Sequence, residues 1–514
     1  MEPAAAWVPW DLQLANWDMQ SSVWAPGIPV ESASTEMFSS YLQSSLPISS
    51  TEQLVEYAAE TQNDHHIEMA PPEEFEVDFS NRDTKIVVHD PIQVFEKAAH
   101  EFEADINMME RKIHRYPAII RNLKSDWYTV PTTVAIGPYH HGGDGLTAAE
   151  KVKHVAAYHC IRGSGRSVQE MYDAVVAVAG EARRLYDKDA VAGLGDDDFL
   201  PMMFYDACFL VQYMLTFTTN GYSEMDPSLR SFFDANGNDV DHDVMLLENQ
   251  LPWPVVEAVM AFTPVPLEEF LAARKECLQD RKGKDYPSIE LYEGFEPPHL
   301  LGLLRRYIVG RRTDTAARLA RREPDKITFS VNAIELAEIG VALTASKNTT
   351  TGLIGMEVKN DGTLFAELSL PPLSLNHARA SYLINMAALE LCATASFFDA
   401  GDEESAVCSY LSLMAMLVDR EEDVQELRRR HILQGGGGLT DEEALRFFTS
   451  LQDLPVGARY YSVMEEIQNY RETMPGRTRL RSFVYRNKKT IVMAFSAIGA
   501  LVSVLGTLKS LKVQ

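Results

Sequence analysis

The sequence is poor in cysteine: it has five in 514 residues, and none of them forms a Cys-x-x-C pair. Scattered cysteines in odd number do not fit a disulfide framework, which excludes the class of small crosslinked secreted domains. They favour a protein of a reducing compartment. The sequence also lacks an internal repeat with a period of 20–50 residues, so we do not expect a solenoid or a propeller.

Lysine and arginine are missing from residues 1–81, where 14 acidic side chains give a charge of −14. The whole chain carries 47 basic and 74 acidic residues, so 47 − 74 gives −27 and the other 433 residues share −13. This balance argues against nucleic-acid binding, which uses Lys and Arg to displace counterions. Acidic polar sequence cannot bury enough apolar area to offset its ordering entropy. We expect 1–81 to be a disordered arm, either a solvated tail or a docking arm anchored by its four tryptophans.

Complete catalytic and metal-binding motifs are also missing. The sequence has no Gly-x-x-x-x-Gly-Lys-[Ser/Thr] phosphate loop, no His-Glu-x-x-His pair and no Gly-x-Ser-x-Gly nucleophile elbow. His140 and His141 precede two glycines, as in some oxyanion holes, but the elbow that such a site needs does not follow. Glu248 would be a general acid or base if burial raised its pKa, yet it has no evident partner. We therefore predict no cofactor and no metal site.

Both stretches have simpler structural interpretations. Gly137 and Pro138 predict a turn in which the two imidazoles are satisfied locally. The run 245–252 sets three polar residues inside apolar sequence: Glu248, Asn249 and Gln250. Such a pattern favours a buried hydrogen-bonded network beside the chain break at Pro252.

The apolar pattern predicts a mainly α body over residues 86–475 with minor β. A 3.6-residue period runs through 168–185, and 206–217 is a short apolar run typical of a buried core helix. Further helices are predicted at 382–398 and 405–430, at 332–341 with Glu335 and the terminator Gly340, and from Thr440 onward. Strand signals are few: 85–89, 133–136, 326–331 and 363–370.

An uncharged run of 19 residues, 490–508, is long enough for about 28 Å of helix, the thickness of a bilayer core. Six Lys and Arg residues precede it in the basic segment 476–489, and two lysines follow it. The positive-inside rule then places the body in the cytoplasm. Since six residues follow the run, we expect a single-pass tail anchor. Its small residues at four-residue spacing are compatible with a homodimer.

Six motifs, in this order, resemble the plant family called domain of unknown function 247, or UPF0481. They lie at residues 115–117, 128–131, 136–142, 206–210, 245–252 and 333–341. The resemblance covers about 90–508 and leaves out the acidic arm. The chain departs from the family pattern at Ala207, at Trp253-Pro254 and at Lys488-Lys489, which puts local packing in doubt.

The resemblance implies a plant membrane protein with no established catalytic residues, and some grass relatives are associated with self-incompatibility loci. The motif residues that form the candidate site, without an assigned role, are Gly137, Pro138, Tyr139, His140, His141, Asp206, Glu248, Asn249, Gln250, Pro252, Glu335 and Gly340.

Three hypotheses follow from the sequence. The first is a non-enzymatic, tail-anchored plant protein whose helical body binds partner proteins in signalling or self-incompatibility. The second is an enzyme with a site near His140, His141 and Glu248, which requires these side chains to converge. The third is a structural membrane scaffold that associates through its span.

Overall fold

The computed structural model describes residues 108–473 except 124, 280–288, 290, 293, 311–329, 348–351, 361–365 and 435–437, and also positions 95, 97, 490, 493 and 496. The chain divides into two units, 1–98 and 99–514, and the description below concerns the second. The predicted acidic arm at 1–81, the strand predicted at 85–89 and the basic segment at 476–489 lie outside the described residues.

The predicted membrane span at 490–508 is described only at Thr490, Met493 and Ser496, which are helical and exposed. Among the described residues, no helix combines the length and the apolar composition that crossing a bilayer requires.

Helices form the described part of the N-terminal half of the body, and the longest of them is α5. They are α1 (Ala118–Arg121), α2 (Thr147–Ser164), α3 (Val168–Arg183), α4 (Lys188–Val191), α5 (Asp196–Leu215), α6 (Thr219–Glu224), α7 (Pro227–Asp243), α8 (Trp253–Met260) and α9 (Leu267–Gln279). Three aspartates in the first turn of α5 complement its dipole, and most of its later residues are buried. Helices α2, α3 and α8 pack against it.

The C-terminal half combines helices with short strands. Its elements are α10 (Leu300–Val309), α11 (Ala333–Ile339), β1 (Val341–Ala345), β2 (Glu357–Lys359), β3 (Ala366–Leu370), β4 (Leu373–Ser374), α12 (His377–Ala393), α13 (Ala406–Leu417), α14 (Glu421–Arg429), β5 (Leu433–Gln434), α15 (Asp441–Thr449) and α16 (Ala458–Thr473). The sheet order is β1-β3-β2, with β1 parallel and β2 antiparallel to β3, and β4 pairs in parallel with β5. Helix α12 packs against α7 and α10, so it joins the two halves.

The mainly helical prediction is confirmed, and several boundaries follow from local chemistry. Ser167, Asn332 and Thr440 each accept a hydrogen bond from the third helical amide of α3, α11 and α15, and a glutamate completes each capping box. The single helix predicted at 405–430 is wrong. It is divided into α13 and α14, because the backbone is extended at Val418 and Arg420.

The strand predictions agree with the structure only in part. The prediction at 363–370 is confirmed for β3, and 361–365 lies outside the described residues. Of 326–331 only Ser330 and Val331 are described, and neither belongs to a strand. Strand β1, which follows Gly340, was not predicted, because its five residues gain their pairing only from β3.

Candidate functional site

The segment 132–137 is the centre of the candidate site, and the strand predicted at 133–136 is wrong. Instead of a neighbouring strand, the Asp243 side chain accepts three consecutive amides. Thr132 N lies 2.8 Å from Oδ1, while Thr133 N and Val134 N lie 2.6 and 2.8 Å from Oδ2. A buried carboxylate with this many donors remains well solvated by the protein. Segment 132–137 is therefore held by side chains and does not belong to a sheet.

Asn249 continues the same pattern one step along the segment. Its Oδ1 accepts the amide of Ile136 at 2.6 Å, and its Nδ2 donates to the carbonyls of Val134 and Asp243 at 3.0 and 2.9 Å. The oxygen and the nitrogen of the Asn249 side-chain amide are therefore both hydrogen-bonded, and they connect the end of α7 to segment 132–137.

Gly137 ends the segment over a buried ion pair. Its amide donates to Asp206 Oδ2 at 2.8 Å, and Asp206 Oδ1 lies 2.6 Å from Lys153 Nζ on α2. Burial acts to lower the pKa of Lys153, but the carboxylates of Asp206 and Glu150 raise it above its ordinary value. Burial in turn raises the pKa of Asp206, against the effect of Lys153. The lysine stays charged and compensates the carboxylate inside the core.

Gln250 fastens the motif run to the start of α10. Its Nε2 donates to the carbonyls of Val244 and Leu246 at 2.7 and 2.9 Å. Its Oε1 accepts the Leu301 amide at 3.0 Å and lies 3.2 Å from His299 Nδ1. The predicted interruption of the apolar run at Pro252 is confirmed, because α8 begins directly after this residue.

Glu248 is engaged by its neighbours. Its Oε1 accepts the Tyr116 amide at 2.7 Å, and its Oε2 lies 3.4 Å from the Arg115 guanidinium. Arg115 also pairs with Asp189 at 3.0 Å and lies 4.2 Å from the centre of the Tyr139 ring. Arg115 is 41% exposed at its side chain, so this is where the buried network reaches the surface.

Tyr116 and Asn385 extend the network into the C-terminal half. The Tyr116 hydroxyl donates to Asn385 Oδ1 at 2.6 Å, and the amide of Leu247 donates to the same oxygen at 2.8 Å. Asn385 lies on α12, and its Nδ2 donates to the Tyr128 carbonyl at 3.1 Å. The buried side-chain amide of Asn385 thus connects α12 to Tyr116, Tyr128 and Leu247.

The turn predicted after Gly137 is confirmed, but the two histidines differ from the expectation. The His141 amide donates to the Pro138 carbonyl at 3.4 Å, and the Tyr139 hydroxyl donates to the Ile113 carbonyl at 2.8 Å. His141 is exposed. His140 Nε2 is buried and has no hydrogen-bond partner in the described region, which contradicts the predicted local satisfaction. Burial, followed by the nearby Arg115, lowers the pKa of His140.

Glu335 and Gly340 serve a helix rather than this network. Glu335 closes the capping box of α11 with Asn332, and Gly340 ends that helix in the left-handed conformation at φ 93°. The amide of Ile334 donates to Asp423 Oδ1 at 3.2 Å, which fixes α11 against α14.

Sequence reasoning missed Asp243, His242, Lys153 and Asn385. His242 is fully buried beside Asp243, with Nδ1 2.9 Å from Asp243 Oδ1, Nε2 2.5 Å from the Trp127 carbonyl, and its ring stacked on Trp127. The signal available in the sequence was the position of His242 and Asp243 directly before the apolar run 245–252.

The buried polar side chains of the candidate site bind backbone groups of the chain itself. The motif network, as we call Asp206, Asp243, Glu248, Asn249 and Gln250 with the backbone groups that they bind, uses its side chains to hold chain segments together. Within the described residues no hydrogen bond joins His140, His141 and Glu248, and no group of three His, Cys, Asp or Glu residues has the geometry of a metal site.

A family model described as plant protein of unknown function, DUF247, matches residues 113–505. The chain belongs to this family. It is similar to a UPF0481 protein of Arabidopsis thaliana, with 20% identity over 341 residues that cover 62% of this chain and 68% of that protein. No solved structure matches the chain.

In this DUF247 chain, the motifs that carry the resemblance meet in three dimensions. Residues 115–117, 136–142, 206–210 and 245–252 all contribute to the motif network, although Tyr116 and Glu248, which are hydrogen-bonded, lie 132 residues apart in the chain. The motif at 333–341 instead builds α11.

Proposed function

We propose that this DUF247 chain is a non-enzymatic, tail-anchored plant membrane protein whose cytoplasmic helical body binds partner proteins. The observation that carries the proposal is the uncharged run 490–508 behind the basic segment 476–489. A body held at a membrane surface by one helix meets its partners there, in signalling or in self-incompatibility.

The motif network supports the non-enzymatic half of the proposal. Asp243, Asn249 and Gln250 are buried, and their polar atoms face backbone groups of the chain itself. Side chains used in this way stabilise a scaffold, and recognition then falls to the exposed surface that the scaffold displays.

Membrane attachment is tested by deleting 490–508. We expect the full chain expressed in plant cells to stay in the membrane pellet after alkaline carbonate extraction and to dissolve in mild detergent. We expect the deleted chain to move to the supernatant, because about 19 apolar residues supply the whole insertion energy. Replacing 490–508 with an unrelated apolar segment of equal length is the control, and it should restore the pellet fraction.

The outcome is decisive in both directions. Recovery of the full chain in the supernatant contradicts anchoring. Co-purification in mild detergent then tests recognition: a stoichiometric partner of the full chain, lost from the deleted chain and regained with the replacement span, supports recognition at the membrane. Absence of a partner from all three chains contradicts the binding proposal.

One observation favours an enzyme as a second candidate. The unpartnered His140 Nε2, in a ring whose pKa is lowered by burial, is a neutral base beside the half-exposed Arg115. A screen of ester and phosphoester substrates with the chain and its His140→Gln variant tests this candidate. Turnover that the variant abolishes supports an enzyme, and equal background rates exclude this residue as its base.

A further inference from the structure

Aromatic side chains of three helices form a continuous row in the N-terminal half. On α5, the ring centre of Tyr205 lies 4.1 Å from that of His154 on α2 and 5.4 Å from that of its neighbour Phe204. The Phe204 ring lies 5.4 Å from the ring of Tyr172 on α3. Tyr158 follows His154 by one turn on the same face of α2. We call these five residues the aromatic ladder, which crosses α2, α5 and α3 in that order.

The aromatic ladder is open to solvent. Tyr158 is 56% exposed, and Val168, which lies one turn before Tyr172 on the same face of α3, is 55% exposed. His154 is also exposed, while Tyr172 and Tyr205 are half-buried. Neighbouring apolar and aromatic side chains that remain in water are typical of an interface with another protein. Tyrosine in particular is enriched in such interfaces and in the residues that contribute most to their affinity.

The α2 end of the aromatic ladder is basic. Lys151 precedes His154 by three residues, which places it beside this ring on the helix surface. Arg162 follows Tyr158 by four residues and is its neighbour in the same way. Both cations are exposed, and among the described residues neither forms an ion pair. Their charge is therefore available to a partner.

The α3 end is acidic. Asp173 directly follows Tyr172 and is exposed. Asp197, in the first turn of α5, is exposed too. Burial, followed by Tyr205 and Asp197, raises the pKa of Tyr172, so the Asp197 carboxylate and the Tyr172 hydroxyl are close enough to interact. Neither aspartate forms an ion pair within the part of the chain that the structure describes. The ladder thus has opposite charges at its two ends.

We propose that the aromatic ladder is the interface between two copies of this chain, related by a two-fold axis through the middle of the ladder. This rotation lays one ladder antiparallel on the other, so the basic α2 end of each copy meets the acidic α3 end of its partner. A partner with charge of one sign would match one end and be repelled at the other, whereas a second copy matches both. The inference concerns the folded body and is independent of the proposed membrane anchor.

Rings and charges have separate roles in this interface. Contact between two ladders removes the exposed rings from water, which supplies the favourable free energy. Each whole chain has a net charge of −27, so two copies repel each other at long range. The matched ends select the one orientation in which opposite charges meet, and they oppose every other orientation.

The test exchanges the charges at the ends of the ladder in the full chain, in mild detergent, with the protein mass measured by light scattering. Lys151→Glu with Arg162→Glu makes both ends acidic, and Asp173→Lys with Asp197→Lys makes both ends basic. We expect the unchanged chain to be a dimer and each double variant to dimerise more than about tenfold more weakly, because like charges meet at both contacts. An equimolar mixture of the two variants should restore the dimer, since opposite charges meet again.

The matched control is Arg121→Glu with Arg184→Glu, which changes the net charge equally at exposed positions outside the ladder. This control should keep the dimer. A monomeric unchanged chain overturns the proposal, and so does a mixture of the two ladder variants that stays monomeric. A dimer that both ladder variants keep is held by another surface, such as the run 490–508, and overturns it equally.

Crosslinking of the unchanged chain gives a result even if a variant does not fold. Carbodiimide joins an amine directly to a carboxylate, and a mixture of ordinary and isotopically heavy chains identifies the links that form between copies. We expect mixed peptides that join Lys151 of one copy to Asp173 or Asp197 of the other. Absence of these mixed peptides overturns the proposal.

Discussion

At the scale of single residues, the unusual feature is a carboxylate that takes the place of a neighbouring strand. Asp243 binds three successive amides and the buried His242, and it does so with no exposed surface. Each donor loses its partner if the carboxylate is changed, and a buried amide without a partner costs about 1–3 kcal/mol.

Asp243→Asn should therefore lower the free energy of unfolding by about 3 kcal/mol, because its NH₂ group would face donors instead of accepting from them. Asp239→Asn is the matched control on the same helix, since Asp239 is exposed, and we expect a change within about 0.5 kcal/mol. Urea unfolding followed by circular dichroism measures both. Equal effects of the two substitutions would show that the amide contacts do not contribute.

His299 makes stability depend on pH. Burial, followed by the charge of His114, lowers its pKa to about 3 in the folded chain. A histidine with a depressed folded pKa favours the folded state above its unfolded pKa of about 6.5, and this contribution is lost as the pH falls toward 3.

Between pH 7 and pH 5 the loss from His299 should be about 2 kcal/mol. His299→Gln cannot take up this proton, so its unfolding free energy should fall by about 2 kcal/mol less than that of the unchanged chain over the same interval. His141→Gln, at an exposed position, serves as control. If His299→Gln shows the unreduced pH dependence, the buried imidazole is not the cause.

At the scale of elements, one turn places the motif network against the helices. Gly137 has φ +73°, and a Cβ there would lie 2.8 Å from the Gln250 carbonyl and 3.0 Å from the Tyr186 hydroxyl. Gly142, five residues later, has nearly the same φ of +72° with open space around it. A substitution at Gly142 therefore measures the strain of the left-handed backbone alone, and a substitution at Gly137 adds the steric clash of the Cβ.

Gly142→Ala should lower the free energy of unfolding by about 1 kcal/mol, which is the strain of a left-handed alanine. Gly137→Ala should cost about 3 kcal/mol, because the carbonyl of Gln250 cannot move without disturbing the buried network. Chemical denaturation of both variants gives the comparison. A smaller effect at 137 than at 142 would mean that the turn is free to shift.

At the scale of the whole folded body, a few buried polar contacts join segments that are far apart in the chain. Asn385 on α12 binds Tyr116 and Leu247, 269 and 138 residues away. Asp206 and Lys153 couple α5 to α2 beneath Gly137. The apolar core surrounds these contacts, and the low dielectric there makes each satisfied pair specific for one arrangement of the segments. The conformation of the site is therefore a property of the assembled body.

Much of the helical architecture was predictable from local sequence. Helix α11 was recognised from Asn332 and Gly340, and α15 from Thr440, because capping involves residues only a few positions apart. Segment 133–136 has the apolar and β-branched residues of a strand, and local sequence could not reveal that Asp243, about 110 residues later, would take the amides.

Within the candidate site too, local sequence indicated which residues are buried and polar but did not indicate their distant partners. The polar residues inside the run 245–252 indicated a buried network, since apolar sequence around Asn249 and Gln250 leaves them no water. Their partners Ile136 and Leu301 could not be named, because hydrogen bonds between distant segments leave no periodic trace.

Composition and spacing alone determined the charge asymmetry of the chain, its helical class, several helix ends and the membrane-length run 490–508, because each depends on residues close together in sequence. The tertiary structure decided that Asp243 replaces a strand and that Glu248 binds Arg115 and Tyr116. These outcomes depend on how α2, α5 and α7 pack, and packing is set by the shape of the whole core.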